Sequence, residues 1–218
     1  LTARLGLDRW TVGGVLLVLL LLHYFLLPAV ALRGLGPFDE KLRKLLYAGK
    51  PDELVRFYRS HLFLRAYTPP GVMKHRLGQI HVARRAWEAA FQAYHEALQG
   101  VPSADRYAMQ TGYAEAGFHV GEDGAILPVL GKLARDERTQ PLTLFLLAHV
   151  EISDPDRRTH ARRALKMLTR SASGADVSLV TLAQAEMLGA EGKHERAQEL
   201  VEELDDAPLP DTLQAMAP

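Results

Sequence analysis

Cysteine is absent from the 218 residues. That removes disulfides, thiolate zinc sites, iron–sulfur clusters and a cysteine nucleophile together. Net charge is absent as well, because 26 Lys and Arg balance 26 Asp and Glu. No cationic surplus exists to neutralise phosphates, and aromatics do not interleave with basic residues as base stacking requires, so no nucleic-acid partner is expected. There is no Gly-x-Ser-x-Gly element for a serine hydrolase. The Gly121-Glu122-Asp123-Gly124 stretch lacks the Lys-Ser/Thr that completes a phosphate loop. No alternating strand pattern follows residue 37. What remains is a chain 48% apolar and 24% charged, which is globular composition and excludes disorder.

The averages conceal a concentrated apolar run. Residues 11–32 carry no permanent charge, and Val15 to Leu22 is unbroken aliphatic. At about 1.5 Å per residue these residues reach about 33 Å, enough for a hydrocarbon core of about 30 Å. Trp10 marks one edge, where an indole prefers the interface. A secretory signal also begins with a short basic stretch and an apolar run. This run is longer than a signal core, however, and no small-x-small cleavage site follows, Ala29 and Ala31 coming closest. A membrane helix is therefore expected, with His23 meeting a neighbouring helix or a headgroup and Pro28 kinking or ending the span.

Charge is segregated too. Residues 1–100 hold 14 Lys/Arg and 7 Asp/Glu, a net of +7, whereas residues 101–218 hold 12 and 19, a net of −7. Lys41, Arg43 and Lys44 follow the span and are expected to face anionic lipid. With Arg33 they outnumber Arg4 and Arg9 before it, which places the C-terminal domain on the cytoplasmic side by the positive-inside rule. A periplasmic or extracellular placement stays open.

Beyond the span, apolar residues recur at three- and four-residue spacing, broken by Gly, Pro and Asp about every 15 residues. The expected organisation is a flank (1–10), a transmembrane helix (11–32), a flexible linker (33–37), one helical repeat domain (38–207) and a tail (208–218). Within it, 38–66 forms one hairpin, 105–134 another and 141–168 a third. Leu77-Gly78, Ala90, Tyr94, Ala97 and Pro102 form the clearest copy, and Ala185, Leu188, Gly192, Ala197, Val201, Leu204 and Pro208 repeat its cadence.

That cadence resembles the tetratricopeptide repeat, whose Leu-Gly, Ala, aromatic, Ala and Pro positions span about 34 residues. His81 and Arg85 depart from it, standing where the family often has Tyr and Gly. The resemblance implies an all-α fold, a transmembrane helix followed by a solenoid of five hairpins. Gly78 and Ala90 would allow close helix approach, and Tyr94 would fill the space against the next hairpin. It also implies a concave groove lined by first helices, here His75, Gln79 and Val82, then Leu182, Glu186 and Gly189, in which a protein or peptide partner lies. His75 and Gln79 replace the Lys and Asn with which some members clamp a carboxylate.

Nine histidines invite a search for metal sites. His95-Glu96 and His194-Glu195 begin like a zinc-protease helix, but Gln99 and Gln198 stand where the second histidine belongs. Arg157-Arg158 and Arg162-Arg163 face two directions and form a solvent face. No catalytic residue, metal or cofactor is expected. The function implied is a membrane-anchored scaffold that binds a protein, as an assembly or accessory subunit of a larger membrane complex, with contacts to lipid and to other membrane helices. Two alternatives remain at this level: the C-terminal portion of a polytopic enzyme or transporter whose catalytic spans precede Leu1, and an exported soluble protein released by signal cleavage.

Overall fold

The computed structural model describes residues 9–100 and 106–204, and every regular element among them is helical. Contacts divide the chain into two compact units, Leu1–Pro102 and Ser103–Pro218, where periodicity alone predicts one repeat domain over 38–207. Pro102, Pro208 and the 208–218 tail lie outside the described residues.

In the first unit, α1 (Arg9–Leu21), a π-helical turn (Leu22–Leu26) and α2 (Leu27–Tyr47) join into one continuous rod. It is the one helix among the described residues long and apolar enough to cross a membrane. Leu16 to Leu20 stay more than half exposed because nothing among the described residues covers them. Pro28 does not end the rod. Its missing N–H removes one helical bond, and the wider π turn just upstream takes up the change. The expected linker at 33–37 is helical as well. A glycine in a helix costs about 1 kcal/mol, but Ala31, Phe38 and Leu42 are buried in one cluster with Leu54, Tyr58 and Leu64. Their burial, at about 1.5–3 kcal/mol for each large apolar side chain, outweighs that cost.

Pro51 and the carboxylates Asp52 and Glu53 open α3 (Pro51–Ser60), suiting the constrained first turn and the positive end of the dipole. The sequence pattern extends this helix to Pro69. Instead the backbone leaves helical geometry at His61 (φ −94°, ψ 58°) and restarts as the short α4 (Leu62–Tyr67). The hairpin of α5 (Pro70–Ala83) and α6 (Trp87–Gln99) follows. There the Tyr94 ring lies on Gly78, so close that a Cβ at position 78 would sit 2.8 Å from it. Tyr94 thus fills space within its own hairpin.

The second unit consists of α7 (Arg106–Val120), α8 (Asp123–Leu133), α9 (Pro141–Ile152), α10 (Arg158–Ser171), α11 (Val177–Ala190) and α12 (His194–Glu202). Its centre is α9, which touches α7, α8, α10 and α11 and is buried continuously from Thr143 to Ala148. The run Leu144-Phe145-Leu146-Leu147-Ala148 is apolar all round, as a helix with neighbours on every side must be.

The turns reveal the repeat. Gly49, Arg85, Gly121 and Gly192 each have positive φ, between 54° and 78°. After each, the next N–H reaches back five residues: Lys50 to Leu45, Ala86 to His81, Glu122 to Gly117 and Lys193 to Leu188. This is one left-handed helix stop used four times. The second helices begin two residues later, at Pro51, Trp87, Asp123 and His194. Position 156 holds the same register in the remaining hairpin, with Arg158 opening α10, although a short 3-10 turn at Pro155–Arg157 replaces the left-handed residue. The period is therefore 35 or 36 residues (49, 85, 121, 156, 192). The end of α2 serves as the first helix of the first hairpin, and α4 falls outside the period.

Candidate functional site

The repeat register aligns the groove positions. His75, Gln79 and Val82 lie ten, six and three residues before Arg85, and Leu182, Glu186 and Gly189 stand equally before Gly192. The same offsets select Thr111, Glu115 and Phe118 before Gly121. The first helices α5, α7 and α11 carry all nine residues.

Their surroundings differ. His75 is only 8% exposed, and its Nδ1 lies 2.8 Å from Nη1 of Arg76. Arg76 also holds Asp39 with two bonds, Nε to Oδ1 at 2.9 Å and Nη2 to Oδ2 at 2.6 Å. Burial, then the adjacent Arg76 charge, lowers the His75 pKa to about 4 against a weaker opposing pull from Asp39, so the ring is neutral near pH 7. His75 thus belongs to an internal network, whereas Gln79 and Val82 are half-buried and reach the surface.

In the second unit, Leu182 and Glu186 are half-buried. Glu186 accepts from His149, with Nδ1 2.9 Å from each carboxylate oxygen. That bond raises the His149 pKa, burial opposing it. The same imidazole stands edge-on to Phe118 at 4.9 Å. Glu115 is half-buried too, and desolvation pushes its pKa up to about 7. His149 thus joins Phe118 of α7 to Glu186 of α11, and Glu115 lies about one turn before Phe118 on α7, partly desolvated. The groove positions that the sequence cadence selects include neither Glu115 nor His149. Only the position of Glu115 six residues before Gly121, matching Gln79 and Glu186, would have revealed it.

The basic residues after the apolar run are displaced from it. Lys41 lies nine residues past Leu32, about 14 Å along a stiff helix. A headgroup layer is only about 5–8 Å deep. Lys41 Nζ sits 5.2 Å above the Phe57 ring and Lys44 pairs with Glu40 at 2.7 Å, while Arg43 is exposed. Lys41 and Lys44, with Lys50, border a shallow hollow of about 430 Å³ beside Pro37 and Leu45. With the linker helical, Arg33 becomes the first cation beyond the apolar run.

Among the described residues no group of three His, Asp or Glu is placed to hold a metal ion. Gln99 Nε2 lies 3.0 Å from His95 Nε2, occupying the place a second zinc-binding histidine would need. The features define a helical repeat-like protein with one possible transmembrane helix. Comparison with family models, curated proteins and solved structures finds no match to this chain.

Proposed function

We propose that the protein is a membrane-anchored scaffold of tetratricopeptide-like hairpins that holds another protein at the bilayer. The observation that carries this reading is the continuous rod from Trp10 to Tyr47. Its first part is an exposed apolar helix and its last turns are the first helix of the repeat, so a membrane position is passed rigidly to the hairpin of α2 and α3. The helical domain lies on the cytoplasmic side, in keeping with the excess of Arg33, Lys41, Arg43 and Lys44 over Arg4 and Arg9.

Gln79 and Val82 in one unit, and Leu182 with Glu186 in the other, are the proposed partner contacts. Glu115 and Glu186 favour a partner segment with basic and apolar side chains, since an incoming cation would relieve the desolvated Glu115. The protein acts by binding and performs no turnover. Photoreactive residues at Gln79 and Leu182, illuminated in native membranes, should capture a discrete partner. The Leu182 adduct should fall about tenfold in a Glu115→Lys, Glu186→Lys variant, as expected for about 1.4 kcal/mol of lost attraction. Adducts unaffected by that charge reversal, or no adduct at all, would reject the groove. Release of the intact chain by alkaline carbonate would reject the anchor.

A further inference from the structure

The short helix α4 falls outside the 35–36-residue period, and it packs against the wrong place for a purely aqueous domain. Leu64 Cδ2 would lie 3.1 Å from a Cβ built on Gly34, Leu64 is buried with Ala31, and the Tyr67 ring stands edge-on to His23 at 5.5 Å. From Leu64 to Tyr67, α4 therefore runs back along the rod toward α1, down into the apolar segment.

The depth follows from length. Crossing a hydrocarbon core of about 30 Å takes about 20 residues, so a span that starts at Trp10 reaches at least Ala29. His23 is six residues inside that boundary, about 9 Å below it. Tilt would require more residues and sink His23 further. Any bilayer that α1 and the start of α2 span must receive the end of α4 as well.

The chemistry of α4 suits that position. Leu62 is 67% exposed and Phe63 41%, and Phe63 stacks obliquely on Tyr67 at 5.1 Å. Leu26, Val30 and Leu32 on the rod are exposed as well. The bend after α4 is Thr68-Pro69-Pro70. The Thr68 N–H donates to the Leu64 carbonyl at 2.9 Å and the two prolines have no N–H to satisfy, while the Thr68 hydroxyl is buried without a partner. Arg65 is exposed and holds its guanidinium 5.3 Å from the Tyr58 ring, and a side chain of that length can reach phosphates from a partly immersed backbone.

We propose that α4 and the Thr68–Pro70 bend form an interfacial wedge, seated in the headgroup and outer acyl layer of the same bilayer that α1 spans. The wedge sets the depth of the rod and the orientation of the first hairpins above the surface. It rests on the reading that the apolar helix crosses a membrane, and its occupant is lipid.

The cysteine-free chain permits a direct test. Single-cysteine variants Phe63→Cys, Val18→Cys and Arg163→Cys are labelled with an environment-sensitive fluorophore. The full chain is placed in phosphatidylcholine–phosphatidylglycerol vesicles carrying nitroxide lipids, labelled either near the headgroup or near the chain terminus. The Phe63 label should be quenched at least about twofold more by the shallow nitroxide than by the deep one, within the 5–10 Å depth of interfacial helices. The Val18 label should show the reverse preference and the Arg163 label neither. A Phe63 label that behaves like the Arg163 label, while Val18 is quenched, overturns the wedge and leaves the anchor standing. An unquenched Val18 label overturns both. Leu62→Cys carries the same readout if Phe63→Cys does not fold.

Discussion

Arg76 of α5 grips Asp39 of α2 through two near-parallel hydrogen bonds, 37 residues apart in sequence. The pair ties the second hairpin to the rod just beyond its apolar run. The third nitrogen, Nη1, contacts His75 Nδ1. A guanidinium can only donate, so Nδ1 must accept and the His75 ring must be neutral.

Lysine at position 76 would keep the charge and lose the fork. Arg76 is mostly covered and Asp39 about one-third exposed, so Arg76→Lys should cost about 1–2 kcal/mol. Thermal unfolding in detergent, followed by the fluorescence of Trp87, reads this in the first unit. An unchanged midpoint would mean that the fork contributes nothing beyond charge.

Mild acid should move the two units in opposite directions. His75 binds a proton in the unfolded chain below its ordinary value of 6.5 but in the folded unit only near 4. Stability of the first unit therefore falls as pH drops between those values. His149 is raised, so its contribution is complete below 6.5 and fades as pH rises through its folded value. Glu115 titrates near 7 when folded and 4.5 when unfolded, so it penalises folding increasingly as pH climbs between them. From about pH 7 to about pH 5, hydrogen-exchange protection corrected for intrinsic rate should weaken in α5 and strengthen in α7 and α11. His75→Gln should flatten the first response and Glu115→Gln the second. Parallel responses in both units would contradict this assignment.

Two glycines at helix positions should respond oppositely to alanine. At Gly78 the new Cβ meets the buried Tyr94 ring at 2.8 Å, whereas at Gly189 nothing lies within 4 Å. Gly78→Ala should destabilise by about 1–3 kcal/mol despite the better helix propensity. Gly189→Ala should stabilise by about 0.5–1 kcal/mol. Urea unfolding of each variant decides, and a stabilised Gly78→Ala would show that Tyr94 moves freely.

Arg85 occupies a left-handed conformation, φ 54°, that glycine occupies in three equivalent turns. Relief of the Cβ penalty makes Arg85→Gly more stable by about 1 kcal/mol. A chemical-denaturation midpoint at or below that of the parent would argue against strain in this turn.

Much of the architecture was legible where one residue type has one physical use. The aliphatic run at 15–22 marks an apolar helix because no other fold tolerates it exposed. Gly49, Gly121 and Gly192 mark helix stops because only glycine enters the left-handed region without cost. Arg85 stands at the matching turn without a glycine, so its left-handed conformation was not evident from the residue type. Gly34, Gly36 and Pro37 read as a linker because local propensity disfavours a helix there, yet burial of Ala31, Phe38 and Leu42 overrides it. Glu115 was illegible, since a lone carboxylate on a helix looks solvated until its neighbours are known.

The order and type of the elements, the apolar segment and most hairpin turns thus follow from the chain alone, because helix periodicity and turn chemistry act within a few residues. Tertiary structure decided the pairings. Asp39 meets Arg76 and His149 meets Glu186 across the same 37 residues, one period and one step, a relation set by how successive hairpins stack. It also broke the predicted long helix at His61 and laid α4 along the rod. That choice came from Leu64 packing beside Gly34 and Tyr67 meeting His23, contacts between segments about 30 to 44 residues apart that no local pattern specifies.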